Sequence, residues 1–314
     1  MRPPGPHRVR VRAPAHRTRE GTAALGPALP RDRAILVHLA RLRVLSLSDI
    51  HALVFAGRDR SRLSRRLTSL EAAGWLRRWE EPRERGGRFR FVVPTPTGLA
   101  WALRRLEEEA AGFAHPRLLA TMLRTNRAAP VSLPPGRIPA FLPHLTQVNT
   151  ALVALIGSSS LRVTWASSWP RPFPPGGVNG LRLPQPDGVL VLVPSEAPPR
   201  LVFLEHDRST ESLRSFARTK VDRYRALASR PGLLEELTGF RQFTVVVTVA
   251  GTSEAETNKR LVALSRLVRV RFAASLVTVC RHGNLLADPS ASLSPLVPGV
   301  PPAPREDAAS RPVS

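Results

Sequence analysis

Apolar residues recur every three to four positions through residues 31–106, which is the spacing of helices that bury one face. Two short runs within this stretch instead combine aromatic and β-branched residues, and they predict strands. The predicted elements are helices at 31–42 and through 50–54, 63–70 and 99–106, with strands at 75–79 and 89–93. Three helices followed by a hairpin and a closing helix are the order of a winged helix-turn-helix domain, which we place at residues 29–128.

Polar residues at the element boundaries support this prediction. Ser46 with Asp49 three residues later has the pattern of a capping box at the start of the second helix. Ser61 is expected to cap the third helix, and Gly74 is expected to end it. The two glycines at 86–87 supply the positive φ angles that the hairpin turn requires.

The second half of the chain alternates between apolar β-branched runs and helical patterns, which is typical of an α/β domain. The run at 243–250 is apolar at nearly every position and predicts a strand that is buried on both faces. We place this domain at residues 142–287. Its predicted elements are helices at 145–156, 210–227 and 254–267, with strands at 161–166, 187–193, 201–205, 243–250 and 274–279.

Three segments lack any periodic pattern and are rich in proline. Residues 1–28 are also rich in arginine and predict a disordered basic arm. Residues 129–141 contain several prolines, which prevent a regular helix or central strand, and predict a linker between the two domains. Residues 288–314 predict a disordered tail.

The charge of the chain is its most unusual bulk property. The formal net charge of +23 predicts attraction to a polyanion, with double-stranded DNA as the first candidate, although a general bias towards arginine also contributes. Cys280 is the only cysteine, which excludes a disulfide framework and a cysteine-ligated zinc site. No apolar run approaches the roughly 20 residues of a membrane helix, and no signal peptide is recognisable, so we expect a cytoplasmic protein.

The third predicted helix carries the candidate DNA-binding residues. Arg62, Arg65, Arg66 and Ser69 lie opposite its leucine stripe, where a helix-turn-helix protein presents side chains to the major groove. Arg85 and Arg88, at the tip of the predicted hairpin, suit contacts to phosphates or to a minor groove. The alternative is a solvated basic face on a winged helix that binds another protein.

Two acids and a lysine form the candidate catalytic site of the second domain. Asp187 opens one strand and Glu205 closes the next, so both are expected at one end of adjacent strands, where they would bind Mg²⁺. Lys220, one of only two lysines, lies on a helical stripe that faces the sheet and would orient a phosphate. No lysine follows a glycine, so a P-loop is excluded, and the histidines show no HExxH zinc motif.

Three nearby residues have simpler explanations. Asp207 is a further candidate catalytic acid, but an acid ahead of a helix is also favoured by the helix dipole. His206 points to the opposite face from Glu205 and is interpreted as a neutral packing or surface histidine. Tyr224 continues the apolar stripe, which argues against a role as a nucleophile that links to DNA.

These motifs together resemble those of the replication-relaxation family over roughly residues 30–230. The resemblance is carried by Arg-Asp-Arg at 31–33, Thr-Pro-Thr-Gly at 95–98, Pro-Asp-Gly at 186–188, Glu-x-Asp-Arg at 205–208 and Lys-x-x-x-Tyr at 220–224. It implies a protein that is associated with plasmids or mobile elements and takes part in replication or DNA relaxation, with replication or transfer proteins as partners.

The second domain also resembles the PD-(D/E)xK nuclease fold. Asp187 would match the first acid of that motif and Glu205 the second, whereas Asp207 stands where the motif has lysine. The resemblance implies that Lys220 substitutes from the helix. The predicted fold class is therefore α/β, or α+β overall: a winged helix-turn-helix followed by a PD-(D/E)xK-like domain.

Three functions remain open on the sequence alone. The first is a DNA-binding replication or transfer factor with a second domain that does not cut DNA. The second is a Mg²⁺-dependent endonuclease or nickase, which requires an intact metal site at Asp187 and Glu205. The third is a transcriptional regulator whose second domain binds a partner or ligand.

Overall fold

A computed structural model describes most of the two predicted domains. The described residues are 29–82, 88–110, 116–120, 141–168, 173–174, 176–194, 198–272 and 276–293. The predicted basic arm, nearly all of the predicted linker, residues 294–314 of the predicted tail, and Arg85 lie outside them.

The first half of the chain contains helices and a small antiparallel sheet. The elements are α1 Pro30–Leu42, β1 Leu45–Ser46, α2 Leu47–Val54, α3 Arg60–Ala72, β2 Leu76–Pro82, β3 Arg88–Pro94 and α4 Pro96–Ala110. The strand order is β1-β3-β2, and Leu45 of β1 pairs with Val92 of β3. The predicted succession of three helices, a strand pair and a closing helix is present, with α3 longer at both ends than its leucine stripe.

One of the helix caps predicted for this half is present, and another is formed by a different residue. Ser46 and Asp49 form the predicted capping box: Asp49 N–H donates to Ser46 Oγ at 3.0 Å, and Ser46 N–H donates to Asp49 Oδ2 at 3.1 Å. The prediction that Ser61 caps α3 was wrong. Asp59 is the cap and accepts the Ser61 N–H at 2.9 Å, so the helix begins at Arg60.

The second half contains a five-stranded mixed sheet in the order β4-β5-β6-β7-β8. Its strands are β4 Val163–Ser167, β5 Gly188–Leu192, β6 Arg200–Asp207, β7 Phe243–Val249 and β8 Val277–Arg281. The β4-β5-β6 pairs are antiparallel, and the β6-β7-β8 pairs are parallel. Every residue of β7 is buried, as its continuous apolar run predicted.

Helices cover both faces of this sheet. They are α5 Leu142–Gly157, α6 (three consecutive segments, Leu213–Phe216, Ala217–Val221 and Asp222–Ala228), α7 Pro231–Thr238, α8 Glu254–Arg271, α9 His282–Ala287 and α10 Pro289–Leu293. On β6, His206 contacts α5 and α9, whereas its neighbours Glu205 and Asp207 contact α6 and α8. Because successive strand residues point to opposite faces, α5 and α9 lie on one face and α6 and α8 on the other. The mixed α/β fold class is therefore confirmed.

Two features of this half were not predicted. The middle segment of α6, Ala217–Val221, is a π-helix rather than an α-helix. The chain also remains helical through α10, where Leu293 is fully buried, although the sequence predicts a disordered tail from residue 288. Among the described residues, no helix has the length and apolar character needed to cross a membrane.

The two halves are joined where α1 ends. The last carbonyl groups of a helix have no partner within the helix, so they need donors from elsewhere. Asn149 of α5 donates to the carbonyls of Leu42 and Val44, and Ser167 of β4 donates to the carbonyl of Arg41 at 2.9 Å. The Arg41 guanidinium also stacks 4.3 Å from the Trp165 ring centroid. Side chains of the second half thus donate the hydrogen bonds that the carbonyl groups at the end of α1 lack.

Asn149 provides a test of this junction. Asn149 is fully buried, so replacing it with Ala leaves the Val44 carbonyl without this donor in a dry environment. We expect the free energy of unfolding to fall by about 1–3 kcal/mol in urea denaturation. Asn284→Ala, on the exposed side of α9, is the matched control and should change stability by less than about 0.5 kcal/mol. Equal effects of the two substitutions would contradict a structural role for Asn149.

Candidate functional site

The two predicted acids lie side by side at one end of β5 and β6. The strands are antiparallel with Gly188 paired to Leu204, which brings Asp187, just before β5, next to Glu205. The Asp187 N–H donates to Leu204 O at 3.0 Å, and the His206 N–H donates back to Asp187 Oδ2 at 2.8 Å. The prediction that both acids lie at one end of adjacent strands agrees with this geometry.

Lys220 points from α6 towards these acids. Its ammonium nitrogen lies 2.6 Å from Glu205 Oε2, 3.7 Å from Asp187 Oδ1 and 2.9 Å from the carbonyl oxygen of Gln185. Lys220 belongs to the π-helical segment, where the wider turn changes which residues face the sheet. The side chain is only 19% exposed, so its charge is compensated by the acids rather than by bulk water.

Two further side chains complete the cluster. The Tyr224 hydroxyl donates to Glu205 Oε1 at 2.6 Å, and His144 Nε2 of α5 lies 3.2 Å from Asp187 Oδ1. Each of the four carboxylate oxygens therefore faces a nitrogen or hydroxyl group of the protein. We call Asp187, Glu205, Lys220, Tyr224 and His144 the carboxylate–lysine cluster.

Burial and charge act differently on the two acids. Burial alone would raise the pKa of Asp187, but Lys220 and His144 outweigh burial and hold that pKa well below its usual range. Burial raises the pKa of Glu205 to about 8, and the Asp187 charge adds to the increase, although Lys220 and Tyr224 oppose it. For Lys220, burial lowers the pKa, but the two acids together raise it above its usual value. The ammonium charge is thus retained at any physiological pH.

A divalent metal fits this cluster poorly as it stands. Mg²⁺ needs several oxygen ligands with free lone pairs, but the Lys220 ammonium occupies the position between the two carboxylates. In the described parts of the chain, no group of three or more His, Cys, Asp or Glu side chains could hold a metal ion. A metal would have to displace Lys220 and draw its other ligands from water or backbone.

Asp207 and His206 serve separate contacts. Asp207 is buried at the end of β6, where it accepts from Arg260 Nε at 2.6 Å and from the Ser209 N–H at 2.8 Å. The structure therefore gives Asp207 a partner outside the carboxylate–lysine cluster, and no helix-dipole explanation is needed. His206 lies on the other face, 2.9 Å from Thr248 Oγ1 and 3.1 Å from Gln147 Oε1, and burial lowers its pKa to about 3. It is a neutral packing histidine, in agreement with the interpretation from sequence.

The predicted DNA-binding residues of α3 differ from one another in their surroundings. Arg62 and Arg65 are exposed, whereas Arg66 forms a two-point ion pair with the buried carboxylate of Asp32 in α1. The Ser69 hydroxyl donates to the Arg65 carbonyl at 3.1 Å. Arg62 and Arg65 are thus available to a ligand, while Arg66 also holds α3 against α1.

Sequence reasoning missed several members of these contacts. His144 and Arg260 come from helices distant in sequence, and no local pattern marks either residue. The Tyr224 hydroxyl had a signal, since the spacing of four residues from Lys220 places both on one helical face. Arg88 is in β3, but its side chain, like all of Arg85, lies outside the described part of the structure.

Comparisons with known proteins place these features in context. The replication-relaxation family model matches residues 36–244, which is more than half of the chain. No curated protein and no solved structure gives a significant match. The matched range includes α3 and all members of the carboxylate–lysine cluster.

The raised pKa of Glu205 predicts how stability depends on pH. The unfolded chain ionises this carboxyl near pH 4.5, whereas the folded protein keeps the proton until about pH 8, so stability falls as pH rises across this interval. Burial lowers the pKa of His206 from its ordinary value of 6.5, so this residue makes stability rise with pH below pH 6.5. The effect of Glu205 is therefore best measured above pH 6.5.

We expect the wild type to lose on the order of 1 kcal/mol more stability per pH unit than Glu205→Gln between pH 6.5 and 8. Urea denaturation at each pH measures the difference. Glu236→Gln, on the exposed side of α7, is the matched control and should follow the wild type. Parallel stability curves for the wild type and Glu205→Gln would show that the carboxyl does not titrate in this range.

Proposed function

This chain belongs to the replication-relaxation family, and we propose that it is a DNA-binding protein of plasmid or mobile-element replication or DNA relaxation. The observation that carries the proposal is the exposed pair of Arg62 and Arg65 on α3, in a chain with a net charge of +23. Neither side chain is committed to a buried ion pair, so both can reach phosphates or base edges of duplex DNA.

The element order of the first half supports a winged helix-turn-helix. The helices α1, α2 and α3 precede the β2-β3 pair, and β1 joins the edge of the same small sheet. In such domains the third helix enters the major groove, which is the role we propose for α3. The β2-β3 pair would lie over the neighbouring DNA backbone.

The second half is proposed to be a PD-(D/E)xK-like domain that binds without cutting. The β5-β6 geometry supports the nuclease likeness, because Asp187 and Glu205 converge and Lys220 faces them. The same geometry argues against cleavage, since the Lys220 ammonium lies where a metal would bind between the two acids. We propose that the cluster stabilises this domain and that replication or transfer proteins bring any cutting activity.

A Mg²⁺-dependent endonuclease is the second candidate. It is favoured by one observation, the convergence of two acids and a lysine at the end of two strands. In that function Asp187 and Glu205 would hold the metal, and Lys220 would turn from the acids towards a phosphate oxygen of DNA. The two candidates differ in what Mg²⁺ does to the purified protein.

The DNA-binding proposal predicts the effect of removing the exposed arginines. Replacing Arg62 and Arg65 with Ala should weaken binding to a blunt duplex by about 10- to 100-fold, and it should reduce the slope of log affinity against log salt by about two. Fluorescence anisotropy between about 50 and 200 mM salt measures both quantities. Arg66 is left in place because it also holds α1.

The double variant Arg214→Ala and Arg218→Ala is the matched control. Both arginines are exposed on α6, so the variant removes the same charge from another surface. If this control weakens duplex binding as much as the α3 variant does, the attraction is a property of net charge and the proposed interface on α3 is refuted.

The cluster proposal predicts the effect of metal on two variants. Mg²⁺ should not change the melting temperature of the wild type, because Lys220 occupies the place of the cation. Lys220→Met should be less stable but should gain a Mg²⁺-dependent increase in melting temperature, since its acids lack a counter-charge. Adding Asp187→Asn to that variant should abolish the increase.

Supercoiled plasmid incubated with Mg²⁺, Mn²⁺ or EDTA completes the test. The wild type should bind the plasmid and leave it intact under all three conditions. Metal-dependent nicking that is lost in Lys220→Met, together with a Mg²⁺ effect on the wild-type melting temperature, would favour the endonuclease instead.

A further inference from the structure

A cavity of about 790 Å³, open to solvent on one side, lies beside α3, between the beginning of α1 and the end of α2. Its lining includes three arginines, Arg31, Arg62 and Arg65, which we call the rim, and three apolar residues, Leu29, Pro30 and Phe55, which we call the floor. Its volume is in the range of roughly 300–1,000 Å³ that is typical of small-molecule sites. An exposed helix can contact duplex DNA without a cavity beside it. The DNA contacts proposed for α3 therefore leave the presence of this cavity unexplained.

The charges around the cavity all favour an anionic occupant. The described lining residues include no acid. Arg66, on the cavity wall, is neutralised by Asp32, but Arg62 and Arg65 are exposed, and the Arg31 guanidinium lies 5.7 Å from the centroid of the Phe55 ring. Asp59, at the start of α3, accepts hydrogen bonds from Ser61, and these bonds together with the charges of Arg62 and Arg65 lower its pKa, but it is a single acid beside three arginines. The rim thus retains positive charge.

The floor adds a second requirement. An inorganic anion would use the rim alone and leave the apolar floor without a partner. A nucleotide combines a phosphate, which arginine binds by paired hydrogen bonds, with a flat base whose faces are apolar.

We propose that this cavity binds one unpaired nucleotide, with its phosphate on the Arg31, Arg62 and Arg65 rim and its base against the Leu29, Pro30 and Phe55 floor. The proposal rests on the proposed DNA-binding function and extends it from duplex DNA to duplex next to an unpaired strand. DNA of this kind arises wherever a duplex is opened, as replication and relaxation both require.

The N-terminal arm is not a suitable occupant. Residues 1–28 precede Leu29 directly and contain six arginines and one glutamate, so the arm and the rim repel each other. The positive charges of the arm and of the rim would instead attract both of them to the same DNA molecule. An acidic segment of a partner protein would satisfy the rim, but the test below separates it from a nucleotide.

The test combines a mononucleotide with two DNA substrates. Titration calorimetry compares thymidine 5′-monophosphate with thymidine, and anisotropy compares a blunt duplex with the same duplex carrying a single-stranded 5′ overhang. We expect the monophosphate to bind at least tenfold more tightly than thymidine, and the overhang to raise affinity. The monophosphate should also compete with the overhang more strongly than with the blunt duplex, because the blunt duplex shares only Arg62 and Arg65 with it.

Arg31→Ala tests the rim without touching the residues proposed for duplex binding. It should weaken monophosphate binding by about tenfold, as expected for one charged hydrogen-bonding group, and it should remove the preference for the overhang. Arg218→Ala, an equal charge change on α6, should alter neither. Arg31 is exposed, so the fold should persist, and an unchanged melting temperature checks this.

The outcomes separate this inference from the proposed function. Blunt-duplex binding with no monophosphate binding and no overhang preference overturns the inference and leaves the proposed function standing. Absence of all DNA binding refutes the proposed function, whereas monophosphate binding that depends on Arg31 would then still support a free-nucleotide site. Stronger displacement of the monophosphate by polyglutamate than by single-stranded DNA of equal charge would overturn the nucleotide assignment in favour of an acidic protein segment.

Discussion

The buried carboxylate of Glu205 is the constraint on which the second half of the chain depends. It lies on a central strand and is only 1% exposed, so burial favours its protonated form, and its ionised form requires a nearby counter-charge. Lys220 supplies this charge and Tyr224 supplies a hydrogen bond, and both come from α6. The position of α6 on the sheet and its π-helical turn therefore both serve to bring partners to the Glu205 side chain.

This constraint also explains the choice of lysine in a chain whose only other lysine is Lys259 and which otherwise uses arginine. The Lys220 ammonium has three donors on a compact charge, and it faces three oxygens, of Gln185, Glu205 and Asp187. Arginine would present a planar fork that fits one carboxylate, as Arg66 does with Asp32. The convergence on which the proposed nuclease likeness rests is thus also what a stable buried pair of acids requires.

Local patterns predicted the elements well but not the partners that cross between them. The leucine stripe of α3, the apolar run of β7 and the capping box at Ser46 are set by neighbouring residues, and each was recognised from sequence. Lys220 was found because its spacing to Tyr224 fixes a helical face. The partners His144 and Arg260 depend on how α5 and α8 pack on the sheet, and Asp59 replaced Ser61 because both residues favour helix caps.

The junction at the end of α1 connects these local features to the proposed function. The carbonyls of Arg41, Leu42 and Val44 are completed by side chains of α5 and β4, and one hydrophobic core runs through both halves. The Arg31 rim is at the other end of α1, and His144, which contacts Asp187, is near the beginning of α5. Two helices that share buried hydrogen bonds therefore link the arginine-rich cavity to the carboxylate–lysine cluster, so the DNA that we propose to bind at α3 would have a fixed position relative to the second half.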